Sequence, residues 1–79
     1  MRRQKTSQIV ITFHTTAEAI ATERLCEKLQ LAGKLIPAPR TLTSDCGIAW
    51  SAPLELRPRL LQALSEAAVE YDGVYELLL

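Results

Sequence analysis

The sequence predicts a small α+β fold, because its apolar segments alternate between strand-like runs and helix-like spacing. Strand-like runs lie at residues 9–13, 31–36, 48–52 and 74–79, and apolar residues at helical spacing fill two of the segments between them. The predicted order is strand, helix, strand, strand, helix, strand. For a chain of 79 residues, the simplest arrangement is a four-stranded antiparallel sheet with both helices on one face, a ferredoxin-like βαββαβ sandwich.

The first strand is predicted at residues 8–15 as a central strand, since its apolar run is continuous. The helix after it begins with a capping box in which Thr15 is the N-cap and Glu18 reaches back to it. Charged side chains mark the solvent side of this helix. Their positions predict that Cys26 lies in the core, where a thiol behaves as a small apolar group, and that Ile20 is exposed.

The end of the first helix has two interpretations. Gly33 is typical of the residue that follows a helix, whereas an end near Gln30 leaves residues 31–36 for the second strand. We favour the earlier end, on the resemblance described below, and this places Gly33 inside the strand. Pro37 and Pro39 lack a backbone donor and are expected to end that strand.

The second half of the chain repeats the pattern. A third strand at residues 48–52 is stopped by Pro53, and Pro58 suits the first turn of a second helix. Helical spacing of apolar residues continues to Tyr71, and Gly73 marks the turn into a last strand at residues 74–79. We therefore expect one domain at residues 9–79, preceded by a basic, flexible tail at residues 1–8.

Charge and composition exclude several functions. Nine basic residues balance nine acidic residues, and three of the basic ones lie in the tail, which leaves a mildly acidic body and argues against nucleic acid as a partner. No apolar run is long enough for export or for a membrane, so we expect a cytoplasmic protein. Two cysteines and one histidine do not make a metal site, and no glycine-rich phosphate loop is present, so no cofactor is expected.

Reactive chemistry has one candidate position, Cys46. Gly47 leaves space beside the sulfur, Ser44 and nearby backbone N–H groups are potential donors to a thiolate, and Arg40 offers a positive charge that Asp45 opposes. A half-buried strand-edge cysteine without reactivity is the alternative, and the residues alone leave it open. His14 is predicted to be a surface residue at a strand end rather than a base.

Three blocks of sequence together resemble the family of small selenium/sulfur carrier-like proteins, a domain of unknown function. The resemblance covers about residues 9–79, and its blocks are Thr12-Phe13 with Thr15-Thr16, then Leu35-Ile36-Pro37-Ala38-Pro39-Arg40, then Ser44-Asp45-Cys46-Gly47-Ile48-Ala49. The family pattern has a glycine where this chain has Gln30, and for this reason we end the first helix there.

The resemblance implies a carrier that holds a persulfide or perselenide on Cys46, supported by Arg40 and by the backbone at Gly47. A cysteine desulfurase or selenocysteine lyase type of donor and an acceptor protein would be its partners, and it would be a carrier rather than an enzyme. Two alternatives without cysteine chemistry stay open, a small-molecule-sensing module and a protein-interaction module. Exposed Ile20, a sheet face without helices and zero net charge also suggest a homodimer.

Overall fold

The computed structural model describes residues 5–42 and 45–79. Its elements are β1 Ser7–Thr12, α1 Thr16–Leu29, β2 Lys34–Pro37, β3 Ile48–Pro53, a 3₁₀ turn at Leu54–Leu56, α2 Arg57–Glu66 and β4 Gly73–Leu78. The strands form one sheet in the order β2-β3-β1-β4, and all three pairings are antiparallel. This is the predicted α+β architecture, with an order compatible with a ferredoxin-like sandwich.

One face of the sheet packs against both helices. Side chains alternate along a strand, so Ile9, Ile11 and Phe13 point to the same face, and all three are fully buried. Trp50 of β3 joins them. The helices complete this core with fully or largely buried residues, Ala19 and Cys26 from α1 and Leu60, Ala63 and Leu64 from α2. The prediction that Cys26 lies in the core is confirmed.

The opposite face of the sheet, which we call the open face, carries Gln8, Val10, Thr12 and Ser51. Neither α1 nor α2 packs on it, yet Val10 and Thr12 are fully buried. Residues 38–40, in the connection from β2 to β3, line a cavity on this face together with Gln8 and Ser51. This face is thus covered by neither α1 nor α2, and the start of a loop borders it at the cavity.

Both predicted ends of α1 are confirmed. The Glu18 N–H donates to Thr15 Oγ1 at 3.2 Å, and the Glu18 carboxylate accepts from the Thr15 N–H, which completes the capping box. Gln30 ends the helix with a left-handed φ of 57°. The next amide, that of Leu31, donates to the Cys26 carbonyl at 2.9 Å, a bond typical of a Schellman motif.

The second strand was predicted to begin too early. It starts at Lys34, so Gly33 precedes the strand and does not lie inside it. Leu31 is buried, with 7% of its surface exposed, because it packs in the core rather than pairing in the sheet. The first strand likewise ends at Thr12 and not at residue 15, since Thr15 is needed as the cap of α1.

The second helix is shorter than the sequence predicts. It ends at Glu66, and Ala68 adopts a left-handed φ of 56°. The Ala68 amide donates to the Ser65 carbonyl and the Val69 amide to the Leu64 carbonyl, which is again a Schellman motif. Tyr71 therefore lies outside the helix although it follows the helical spacing. Within the described residues, no helix is long and apolar enough to cross a membrane.

Gly33 lies directly against the indole of Trp50. A Cβ added at Gly33 would lie 2.5 Å from Trp50 Cζ2, closer than non-bonded atoms approach, and φ at this position is +155°. Trp50 itself is 2% exposed and belongs to the core, so the ring has little room to move away. A glycine is therefore required here both by the backbone conformation and by the packing.

We expect Gly33→Ala to lower the free energy of unfolding by about 2–3 kcal/mol, because it combines overpacking with an unfavourable φ. Gly47→Ala is the matched control: φ is +76° there, but an added Cβ would meet nothing within 4 Å. The control should cost only about 1 kcal/mol, from the backbone alone. Urea unfolding of the two variants measures the difference, and equal losses would contradict the packing argument.

Candidate functional site

The loop between β2 and β3 is closed at its base. The Ala38 N–H donates to the Gly47 carbonyl at 2.9 Å, one step beyond the last pair of the ladder, which joins Pro37 and Ile48. Within the loop, the Leu42 N–H donates to the Pro39 carbonyl at 3.0 Å and forms a turn. This closure fixes the positions at which the chain enters and leaves the loop, and Cys46 lies next to the exit.

Cys46 is half-buried and packs against the hydrophobic core. Its Sγ lies 3.4 Å from the Ile48 carbonyl oxygen, so the thiol donates a hydrogen bond to the backbone of β3. Cys26 is fully buried, and burial raises the pKa of its thiol. The two cysteines are not joined by a disulfide. Cys46 is thus the more accessible of the two sulfur atoms.

The other predicted site residues differ in where they lie relative to Cys46. Gly47 follows it directly, and its left-handed backbone leaves the space where a side chain would project empty. Arg40 lines the cavity on the open face, and Cys46 is not among the described residues that line this cavity. Ser44 lies outside the described residues.

A histidine that the sequence analysis left as a surface residue lies beside this loop. His14 Nδ1 is 3.4 Å from Asp45 Oδ2, and His14 Nε2 is 3.8 Å from Asp72 Oδ1. The backbone N–H of His14 also donates to the Glu18 carboxylate at 2.9 Å. The ring therefore connects the residue before Cys46 to the segment that leads into β4.

Topology explains why these three side chains meet. Thr12 at the end of β1 pairs with Ala49 near the start of β3 and with Gly73 at the start of β4. Residues that follow β1 and precede β3 and β4 therefore converge at one end of the sheet. The ferredoxin-like arrangement predicted from the sequence already brings these three segments to one end of the sheet. It could therefore have indicated that His14 lies beside the loop that carries Cys46.

The electrostatics of the cluster favour a charged histidine. The hydrogen bond to Asp45 and the nearby charges of Asp72 and Glu18 raise the pKa of His14 above its usual value of 6.5, although burial opposes the rise. A neutral imidazole has one N–H, whereas both ring nitrogens face carboxylates here, so the imidazolium suits the site better. Among the described residues, no group of three or more His, Cys, Asp or Glu side chains is arranged to hold a metal ion.

Comparison with known protein families shows to which family the chain belongs. The family described as "Putative Se/S carrier protein-like" matches residues 8–76. The chain belongs to this family. Comparison with curated proteins and with solved structures gave no match.

In this member of the Se/S carrier protein-like family, two of the blocks that resemble the family lie at opposite ends of one loop. The block ending in Arg40 forms β2 and enters the loop, and the block containing Cys46 leaves it and enters β3. The hydrogen bond between Ala38 and Gly47 joins the two blocks directly. Their closeness in space is thus a consequence of the hairpin that they form.

The histidine cluster predicts a pH-dependent contribution to stability. Because folding raises the pKa of His14, its contribution is fully present below the usual histidine pKa and is lost as the pH rises through the folded value. We expect the wild type to exceed His14→Gln in melting temperature at about pH 5.5, and this excess to shrink by about pH 8.5. Thermal unfolding at the two pH values measures it. Asp45→Asn should reduce the same pH dependence, and a difference independent of pH would contradict the assignment.

Proposed function

We propose that this protein carries sulfur or selenium as a persulfide or perselenide on Cys46. The donor would be a cysteine desulfurase or a selenocysteine lyase type of enzyme, and a second protein would accept the atom. Membership of the Se/S carrier protein-like family supports the proposal. The observation that carries it is the contrast between the two thiols, since Cys26 is fully buried and Cys46 is only half-buried.

Transfer requires no oxidant or cofactor. The Cys46 thiolate attacks the outer sulfur of a persulfide on the donor enzyme and forms a new sulfur–sulfur bond. The bond between the two sulfur atoms of the donor persulfide breaks, and its electron pair leaves with the donor cysteine as a thiolate. The terminal sulfur moves with its proton. Transfer of selenium follows the same course, with a sulfur–selenium bond formed on Cys46.

Two features of the structure favour such a carrier. Burial raises the pKa of the Cys26 thiol, and we expect this to slow its attack on a persulfide on Cys46, which would form a disulfide and discharge the carried atom. A Cβ added at Gly47, next to Cys46 in the chain, would meet nothing within 4 Å, which supports the approach of a second protein at this point. Loading also requires the thiol to release the Ile48 carbonyl, because that hydrogen bond is made by the proton that the thiolate lacks.

Mass spectrometry tests the proposal. Wild-type protein incubated with a cysteine desulfurase and L-cysteine should gain the mass of one sulfur atom, and a parallel incubation with a selenocysteine lyase and selenocysteine should show whether selenium is taken up. Cys46→Ser should remove the gain while the melting temperature changes little. Cys26→Ala is the matched control and should load as the wild type does. Equal loading of Cys46→Ser would exclude the carrier function and favour a module without cysteine chemistry.

Arg40, Ser44 and Gly47 are proposed to support the loaded cysteine. For Gly47 the proposed support is the lack of a side chain next to Cys46, since an added Cβ would meet nothing within 4 Å. For Arg40 the proposed support is its positive charge, carried on the same loop that Ala38 and Gly47 close. Comparing the alkylation rate of Cys46 by iodoacetamide in wild type and in Arg40→Ala separates a contribution to thiol reactivity from a role on the open face.

We also propose that the protein forms a homodimer. Ile20 is 40% exposed on α1 and Leu78 is 65% exposed on the edge strand β4, so apolar surface and an unpaired strand edge are both available. Sedimentation velocity should show a dimer in the wild type that Ile20→Lys or Leu78→Lys shifts toward monomer. A monomeric wild type at high micromolar concentration would contradict this prediction.

A further inference from the structure

The cavity on the open face is large for a protein of this size. Its volume is about 770 Å³, within the range of about 300–1,000 Å³ common for small-molecule sites. The strands supply its floor, which includes Gln8 and Ser51, and the end of β2 with the start of the β2–β3 loop supplies its wall. The cavity lies between this wall and the floor, on the face of the sheet that neither helix covers.

The wall of the cavity is stiff and apolar. Ile36, Pro37 and Pro39 line it, and both prolines have a fixed φ that restricts the chain at this point. The hydrogen bond from Ala38 to Gly47 anchors this stretch to the end of β3. Such a wall can contact an apolar group of a ligand and loses little freedom on binding, which favours affinity.

The polar side chains in the floor of the cavity hydrogen-bond to one another. Ser51 Oγ donates to Gln8 Oε1 at 3.5 Å, and Gln8 Nε2 donates to Thr6 Oγ1 at 2.6 Å. The Thr6 N–H in turn donates to the Leu79 carbonyl oxygen at 3.1 Å. These polar groups are engaged with one another, and the charged side chains that line the cavity are therefore the groups to which we attribute ligand selection.

Both charged side chains that line the cavity are cationic. They are Lys34, on β2, and Arg40, on the loop, and no Asp or Glu side chain is among the described lining residues. Neither of the two forms a salt bridge with a carboxylate of the part of the chain that the structure describes. An anion that enters the cavity would therefore meet two positive charges without displacing an acidic partner.

We propose that this cavity binds a small organic anion with an apolar body, such as a medium-chain carboxylate, whose charged group lies between Lys34 and Arg40 and whose apolar part contacts Ile36 and the two prolines. The site does not depend on sulfur chemistry, since Cys46 is not among its described lining residues. The proposed ligand is additional to the selenium or sulfur atom to which the description of the family refers.

Octanoate and octylammonium test the proposal as a pair with the same chain and opposite charge. In NMR titrations of the full chain, octanoate should shift the resonances of the cavity residues in a saturable manner, whereas octylammonium should bind at least about tenfold more weakly. Lys34→Gln and Arg40→Gln should each weaken octanoate binding by about tenfold, as expected for loss of a charge-assisted hydrogen bond. Arg24→Gln, the same charge change on the exposed side of α1, should leave the affinity unchanged.

Several outcomes would overturn the proposal: equal binding of the two probes, an equal loss in Arg24→Gln, or octanoate shifts confined to residues outside the cavity. Lys34 and Arg40 are both exposed, so their variants should fold, and their melting temperatures check this. Cys46→Ser should bind octanoate as the wild type does, and Lys34→Gln should load sulfur as the wild type does. Failure of the anion site and failure of the carrier function are thereby distinguished.

Discussion

Burial of β1 on both faces is the constraint on which the rest of this structure depends. The strand pairs with β3 on one side and with β4 on the other, and residues 9–13 have no exposed surface at all. Two helices cover one face, and neither of them packs on the other. On the open face, the Tyr75 ring lies against Gly73, which pairs with Thr12, and residues 38–40 of the β2–β3 connection border a cavity together with Gln8. The loop that carries Cys46 therefore also reaches the open face of the sheet beside β1.

Local signals in the sequence were sufficient where a residue's own chemistry determines the structure. The capping box of Thr15 and Glu18 marks the start of α1 because the hydroxyl and the carboxylate accept hydrogen bonds from backbone N–H groups of the same turn. The continuous apolar run of β1 identified a central strand, and the charge pattern of α1 placed Cys26 in the core. Together these features indicated the correct order of elements and an α+β fold before any long-range contact was known.

The features that the sequence did not reveal have two origins, a helix end without glycine and contacts between elements. The left-handed residue that ends α2 is Ala68, so no glycine marks the end of this helix near Glu66. Gly33 is set against an indole that is distant in sequence, and β2 starts only after it, at Lys34. The cluster around His14 depends on three chain segments meeting at one end of the sheet. For Gly33 and His14 the missing information is a contact between elements, which local spacing does not encode, whereas the end of α2 is made by local hydrogen bonds.

The β2–β3 loop combines two chemical environments in one short segment. Its entrance, at Pro39 and Arg40, forms part of the cationic cavity on the open face, and its exit, at Cys46, packs against the core beside the acidic pair around His14. The Ala38–Gly47 hydrogen bond joins the entrance to the exit. Arg40 takes part in both proposals, as a lining residue of the cavity and as the proposed support of Cys46, so a substitution there tests both at once. Lys34 lies on the paired strand β2 and outside this loop, so it reports on the cavity without that ambiguity.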